Sequence, residues 1–426
     1  MLAHLLGHLC PSLGAVNELR EQVVREAEPL ALAFANAGHS LYLVGGIVRD
    51  LHLGMALDEL DFDLTTEARP AEIKRLVDPL SDAVWTQGEK FGTIGCQING
   101  RPYEITTHRA ESYSDDSRKP EVQFGDDIEV DLSRRDFTVN AMAIDLVSGE
   151  LFDPFGGEAA LSDRVLRTPI EPEVSFSDDP LRILRAARFI ARYDLVVDAD
   201  VIAAAKALID RMSIVSEERI RDELDKLLLA PRPASGLAFL VEVGAWPFVS
   251  SSIDASELAL IGEELDRAPL DNMVRRAVMF SHCPAAERAD QFNHLKYSNA
   301  ESRQLRLTLA GLDLVTQAED DFEAPTVRRM VARIKYDSMS TLLEVISTLQ
   351  VPDRGLKKLF EELDAAEDLS DVSPELTGED VMDLLGIEPG PEVGAALSVL
   401  QERRFNDGPI DREAEIEFLF TTYRRR

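Results

Sequence analysis

The spacing of apolar positions changes character near residue 154. Between residues 41 and about 150, short apolar runs alternate with helix-spaced segments. LYLV, Leu41–Val44, is a continuous apolar run closed by Gly45-Gly46, and FDLTT further on alternates core and outward positions as a strand does. GTIGCQI and RPYEITTHR flank Asn99-Gly100, a pair suited to the type I′ turn of a β-hairpin. Residues 1 to about 40 carry a helical pattern. The polar stretch Glu111–Asp131 has little periodicity, which predicts a long loop with a functional role. Beyond Pro154 the pattern is that of amphipathic helices, interrupted at Pro169, Pro172, Pro180, Pro231, Pro233, Pro247 and Pro284. The chain therefore reads as α+β, with a mixed sheet and helices in the first part and helices alone thereafter.

At 426 residues the chain exceeds one small domain. No run of about 18 apolar residues free of charge occurs, which predicts no membrane span. MLAHLLGHLCPSLGAV lacks a basic leader and reads as an amphipathic helix or loose terminus rather than a signal peptide. Cys10, Cys96 and Cys283 have no metal-ligand spacing and fit a reducing cytoplasm. The net charge of −33 argues against indiscriminate binding to long nucleic acid, although a local basic groove remains compatible with it. Acidic stretches such as Glu361–Asp380 read as solvated helix faces and linkers.

Within this frame ELDFDLTT carries the most chemistry. Asp61 and Asp63, two residues apart on a strand, point to one face while Phe62 points into the core. Paired carboxylates repel unless a cation lies between them, and Mg²⁺ with substrate phosphates is a suitable cation. Gly45 and Gly46 admit close approach of a ligand to the backbone, and a helix beginning there offers free N–H groups to phosphate. Glu104, in YEITTHR, is either a third carboxylate beside Asp61 and Asp63 or a solvated glutamate on an edge strand. In DLSRRDFTVNAMAID, Arg135 and Asp136 stand where a polar loop enters the core. Arg135 offers a forked donor to phosphate or ribose oxygens, whereas the plain alternative is a helix start capped by Asp136 with Arg134 in solvent.

SDDPLRILRAARFIARYDL predicts a helix capped by Ser177 or Asp178, with Pro180 in its first turn. Arg182, Arg185, Arg188 and Arg192 fall within a wedge of about 120°, and Asp179 lies one turn before Arg182. An Asp and an Arg on one face can pair with the Watson–Crick edge of a base, while the further arginines reach phosphates. The alternative is a salt-bridged surface helix with Asp179 paired to Arg182.

VGGIVRD, ELDFDLTT, KFGT, YEITTHR, RRDFTVNAMA, FDPFGG and DDPLRILRAARFIAR follow the order seen in class II CCA-adding enzymes, the tRNA nucleotidyltransferases related to poly(A) polymerases and to DNA polymerase beta. SEERIRDELDKLLLAP resembles that family's helix-stabilising motif. The resemblance spans residues 41–232. It implies a polymerase-beta-like nucleotidyltransferase head, 1–153, a helical neck that selects the base, 154–235, a helical body, 236–335, and a tRNA-binding helical tail, 336–426. It further implies Mg²⁺ on Asp61 and Asp63, nucleotide contacts from Gly46 and Arg49, and triphosphate and sugar contacts from Arg135 and Asp136. Base reading falls to Asp179 and Arg182, and phosphate contacts to Arg185 and Arg188. Gly45 belongs to the same nucleotide-binding turn. Asp178 stands where the family carries Glu, a shortening by one methylene.

The activity implied is addition of C, C and A to tRNA 3′ ends from CTP and ATP without a nucleic-acid template, in the cytoplasm, by a monomer or homodimer. In that scheme the loop around Ser112–Gly125, with Arg118 and Lys119, reshapes the pocket between C and A. Poly(A) polymerase and an enzyme adding only A are alternatives. KFGT at Lys90–Thr93 and the absence of a basic arm beyond Arg424–Arg426 speak against the former. An inactive tRNA-binding protein is a remoter one, since both DxD aspartates are present. No His-Asp dipeptide occurs, so no phosphohydrolase activity is expected.

Overall fold

The alternation of FDLTT is met in strand β2, Phe62–Thr66. Phe62 and Leu64 are buried on one side, and Asp63 between them faces solvent. In the computed structural model, which describes residues 13–112 and 121–423, β2 is the middle strand of a seven-stranded sheet of order β3-β4-β5-β2-β1-β8-β9. The other strands are β1, Tyr42–Val44; β3, Ala83–Trp85; β4, Thr93–Ile98; β5, Arg101–Thr107; β8, Ala143–Asp145; and β9, Leu151–Phe152. β2 pairs antiparallel with β1 and parallel with β5, which sets Asp63 opposite Glu104. β4 and β5 form the expected hairpin. Ile98 pairs with Arg101, and Asn99 and Gly100 take positive φ of 51° and 79°, as a type I′ turn requires.

The helix Leu13–Asn36 buries Val23, Ala27, Leu30 and Phe34, and it packs beside the helix Pro70–Val77, which lies on β4 and β5. The sheet contributes Leu43, Leu64, Ile94 and Ile105 to this core.

The expected loop Glu111–Asp131 is shorter than predicted. β6, Arg109–Ser112, and β7, Glu121–Phe124, pair antiparallel, and a helix spans Ile128–Ser133 with Asp127 capping it. Strands of four residues are too short to display an alternation, and their ladder satisfies backbone groups that the polar side chains left unannounced. Residues 113–120, including Arg118 and Lys119, lie outside the described residues. Strand structure also recurs past Pro154, where β10, Val165–Leu166, and β11, Val196–Val197, form a two-residue parallel pair.

The arginine-rich helix runs Arg182–Tyr193 and buries Ile183, Ala186, Ala187, Phe189 and Ile190 on one side. A Cβ on Gly236 would lie 2.5 Å from the carbonyl oxygen of Ala187. Glycine there lets the helix Pro233–Glu242 approach the arginine helix closely. The expected capping by Ser177 or Asp178 does not occur, because both belong to the preceding helix Pro172–Asp178. Asp179 is the extended residue between the two helices, and its Oδ1 accepts the Leu181 N–H at 3.1 Å.

The chain divides into two compact units, residues 1–249 and 250–426. The second is helical from Leu258 to Tyr423 among the described residues, with a core that includes Leu305, Leu309, Val327, Ile334, Leu342 and Val345. Within it Glu367 receives both Arg328 and Arg404, three charged groups that are all nearly buried and mutually paired.

Candidate active site

The turn between β1 and the helix Gly46–His52 takes a conformation that only glycine tolerates, with Gly45 at φ 75° and ψ −128°. A Cβ there would also lie 2.6 Å from Nη1 of Arg135. The Arg135 guanidinium is thus laid against the turn backbone. Its Nη2 donates to the fully buried Asp131, while its Nε is buried with no hydrogen-bond partner among the described residues. Arg134 is not in solvent as the plain alternative had it, since its Nε and Nη2 donate to Asp131 Oδ1. Burial would raise the Asp131 carboxyl, but Arg135, Arg134 and the Arg109 N–H outweigh it and hold it at about 2.

A continuous polar network leads from the turn to the arginine helix. Arg49 donates to both oxygens of Asp50, at 2.8 and 2.9 Å, and to Asn140 Oδ1 at 2.5 Å. Its guanidinium lies 4.5 Å from the ring centroid of Tyr193. Asn140 donates to Asp136 Oδ1 at 2.8 Å, and Asp136 Oδ2 accepts from Arg185 at 2.8 and 2.5 Å. Asp136 is not a helix cap: the helical turn Thr138–Asn140 that follows starts from Phe137 and has no side-chain cap. Asp136 is buried, and Arg185, Asn140 and the Phe137 N–H overcome the cost of that burial to hold its carboxyl at about 2. Glu223, nearly buried, then accepts from Arg188 at 2.7 Å and pairs with Arg185 at 3.5 Å.

Arg182 is only 6% exposed, so it does not belong to a solvated ion-pair face. Its Nη1 donates to the carbonyl and hydroxyl of Ser175, at 3.2 and 2.7 Å, and its Nη2 to the Arg134 carbonyl at 2.5 Å. Asp179 pairs with Arg219, at 2.8 Å, rather than with Arg182. Arg192, the last of the stripe, is exposed and meets the Tyr193 hydroxyl.

These groups border one open cavity of about 450 Å³. Gly45, Gly46, Arg49, Asp63, Arg135, Asp136, Asp179, Arg182, Arg185 and Arg188 all line it, as do Arg134, Asn140, Phe189 and Arg219. Of the candidate carboxylates and the arginine stripe singled out in the sequence, Asp61, Glu104 and Arg192 stand outside its wall. Asn140 in this wall and Glu223 behind it carried a readable signal. Asn140 is the one amide inside the apolar run FTVNAMA, and Glu223 falls with Ile220 and Leu227 on the buried face of its helix. Arg219 carried none, because nothing in its own helix points to Asp179.

Asp63 keeps an exposed surface, yet protein surrounds its carboxyl on most sides at the edge of the cavity. Its carboxyl is pushed up to about 6 by burial, then by Glu104 and Asp61, against the opposing pull of Arg135. An acid set with more negative charge than its neighbours neutralise suits a hard divalent cation. Among the described residues no three His, Cys, Asp or Glu converge on a common point. Asp61 and Asp63 would therefore hold a metal together with oxygens from a substrate, with Glu104 beside them.

A mixed sheet bearing paired aspartates, joined to an arginine-lined cavity, defines a nucleotidyltransferase of the poly(A) polymerase type. The family model of the poly A polymerase head domain matches residues 41–167, and that of the probable RNA and SrmB-binding site of polymerase A matches residues 194–256. A CCA-adding enzyme of Streptococcus gordonii is 33% identical over 93% of this chain and 96% of its own, and one of Geobacillus sp. is 29% identical over 89% and 91%. The crystal structure of the Bacillus stearothermophilus CCA-adding enzyme in complex with CTP superposes with a TM-score of 0.78 at 25% identity, covering 94% of this chain and 98% of that one. The Thermotoga maritima enzyme complexed with tRNA(CCA) shares the fold with a TM-score of 0.65 at 21% identity, over 96% and 98%. The chain belongs to the family of CCA-adding enzymes.

Proposed function

We propose that the protein adds C, C and A to the 3′ end of tRNA from CTP and ATP. The 3′-hydroxyl of the RNA attacks the α-phosphorus of the bound nucleotide, a new phosphodiester forms, and pyrophosphate leaves. The observation that carries this reading is the single cavity in which Asp179 and Arg182 stand on the same wall as Arg185, Arg188, Arg135 and Asp63.

In this reading each residue acts through the contacts described above. Asp179 accepts from the base and Arg182 donates to it, and the bonds of Arg182 to Ser175 and Arg134 keep that donor from turning toward another edge. Only C and A carry an exocyclic amine beside an acceptor nitrogen in the arrangement this pair demands, so no nucleic-acid template is needed. Arg135, whose Nε has no partner among the described residues, and the paired Arg185 and Arg188 bind triphosphate oxygens. Asp136 holds Arg185 and, through Asn140, Arg49 and the glycine turn, keeping the sugar's surroundings rigid. Asp61 and Asp63 hold Mg²⁺, which when bound supplies charge neutralisation at the α-phosphate and a lowered hydroxyl pKa. Glu104, beside that pair, is assigned the hydroxyl proton. The helical tail 336–426 is assigned to tRNA and 236–335 is the helical body, with 154–235 as the base-selecting neck joined to the head, 1–153.

The relatives above are CCA-adding enzymes along most of their length, which favours this activity over tailing with A alone. Incubation with tRNA lacking its 3′ end, Mg²⁺ and labelled CTP or ATP tests it. Products longer by C, C and A are expected. A ladder of A residues would instead identify a poly(A) polymerase, addition of one A to tRNA already ending in CC without use of CTP an A-only enzyme, and no incorporation a binding protein.

A further inference from the structure

Four residues on four adjacent strands stand in one row across the sheet. Trp85 on β3 pairs with Gly95 on β4, Gly95 with Glu104 on β5, and Glu104 with Asp63 on β2. Directly paired residues share a face of the sheet. The row therefore lies on the face that exposes Asp63 and Glu104. Gly95 has no side chain, and the Trp85 indole fills its place on that face, since a Cβ on Gly95 would lie 1.9 Å from Nε1 of Trp85. The ring is thus drawn across β4 to within one strand spacing, about 4.8 Å, of β5. We propose that Trp85 is the platform on which the terminal base of the tRNA 3′ end stacks while its 3′-hydroxyl is presented to the carboxylates. The inference rests on the proposed nucleotide transfer to RNA.

The order of the strands says which nucleotide the ring meets. β1, on one side of β2, leads into the glycine turn and the arginines assigned to the triphosphate. β5, β4 and β3 follow β2 in the opposite direction. Asp63 lines the arginine-walled cavity, whereas Glu104, Gly95 and Trp85 do not. In an in-line displacement the attacking oxygen approaches from the side opposite the leaving group. Pyrophosphate leaves toward β1 and the arginines, so the RNA end comes in over β5 and β4, where the indole lies. The incoming base is read by Asp179 and Arg182 inside the cavity, which leaves the base of the RNA for Trp85. A tryptophan over a glycine also fills a gap in a sheet. Valine at position 95 would cover the strand with better strand propensity, and glycine inside a strand marks the close approach of another group. Trp85 stays half-buried, so part of the ring meets solvent on a face that also exposes Asp63, Pro102 and Glu104. Stacking on an aromatic side chain tolerates any base, which suits a primer whose last base changes from one addition to the next.

The chain has two tryptophans, and the other, Trp246, is 2% exposed. Fluorescence on addition of tRNA lacking its 3′ CCA therefore reports Trp85, and quenching is expected. tRNA whose terminal nucleotide carries no base should quench less, a comparison on wild type that needs no variant. Trp85→Val/Gly95→Val removes the ring and covers the vacated strand surface with β-branched side chains. This variant should lose the quenching and raise KM for tRNA roughly tenfold, the size of one base–aromatic stack. Its KM for CTP should stay within about twofold of wild type. Trp85→Phe keeps a smaller stacking surface and should fall between the two in KM for tRNA. On base-less tRNA the wild type should drop to the level of the valine variant, and the variant should lose nothing further. An unchanged KM for tRNA in the valine variant, or equal losses on intact and base-less tRNA, would overturn the proposal and leave Trp85 as a cover for the glycine. A rise in KM for CTP alone would also overturn it by giving the ring to the incoming base. Failure of the wild type to incorporate any nucleotide would remove the transfer reading. Quenching by intact but not by base-less tRNA would then still support the RNA site on Trp85, and no quenching would overturn it as well.

Discussion

Asp63 and Glu104 stand opposite one another on the adjacent parallel strands β2 and β5, two carboxylates in register, with Asp63 on the wall of an arginine-lined cavity. Burial and these acidic neighbours push the Asp63 carboxyl up to about 6. A carboxyl whose folded pKa lies above its unfolded value near 4 favours folding below that value and opposes it as pH rises through about 6. In metal-free buffer Asp63→Asn should therefore melt higher than wild type at pH 8, and the gain should vanish near pH 4. Thermal melts with a chelator at the two pH values measure it. The same variant, and Asp61→Asn, should lose nucleotide transfer by more than a hundredfold because the metal-binding pair is broken.

Asp136 has the opposite sign. Its folded carboxyl is held at about 2, below the unfolded value, so its contribution is present above about pH 4 and is lost as pH falls toward 2. That contribution is on the order of 2 kcal/mol. Acid unfolding of Asp136→Asn should begin from a lower stability at pH 7 and show a shallower loss between pH 4 and 2 than wild type. Identical slopes would show that Arg185 and Asn140 do not stabilise the ionised form.

Glu223 is a buried acid shared by Arg185 and Arg188. Glu223→Ala leaves Arg188 in a nearly buried position without its counter-ion, at a cost on the order of 3 kcal/mol. Denaturant titration should record the loss. Binding of CTP and ATP should weaken alike, since both arginines are assigned to phosphates.

Gly45→Ala places a side chain at a φ of 75° with ψ −128° and drives its Cβ toward the Arg135 guanidinium. The backbone strain should cost about 1–3 kcal/mol. Displacement of Arg135 should raise KM for both nucleotides without altering the choice between them. A shift in nucleotide preference would place the turn against the base instead.

Asp179→Ala and Arg182→Ala should reduce discrimination among nucleotides, each by about 1–3 kcal/mol, more than they weaken triphosphate binding. Arg185→Ala should weaken all nucleotides alike. Arg182 differs from Arg185 in being almost fully buried, so its unfolding midpoint must be measured in parallel. Retention of the CTP and ATP preference in a folded Arg182→Ala protein would assign selection elsewhere.

The sequence by itself determined what depends on local rules. The alternation in FDLTT places Asp61 and Asp63 outward from Phe62, Asn99-Gly100 makes the hairpin that carries Glu104, and the 3.6-residue period gathers Arg182, Arg185 and Arg188 on one stripe. Tertiary structure decided which of these groups meet and what each is paired with. The i, i+3 spacing offered Asp179 to Arg182, yet the extended backbone at Asp179, which ends one helix before the next begins, turns it toward Arg219, forty residues on. Burial withdraws Arg182 from solvent and ties it to Ser175 and Arg134. The hairpin of β6 and β7 escaped the pattern because four-residue strands carry too few positions to show a period. Asn140 and Glu223 were visible only as polar residues in apolar positions. Their role as links between Arg49, Asp136, Arg185 and Arg188 depends on helices and a turn distant in sequence coming within hydrogen-bond range, which no local periodicity encodes.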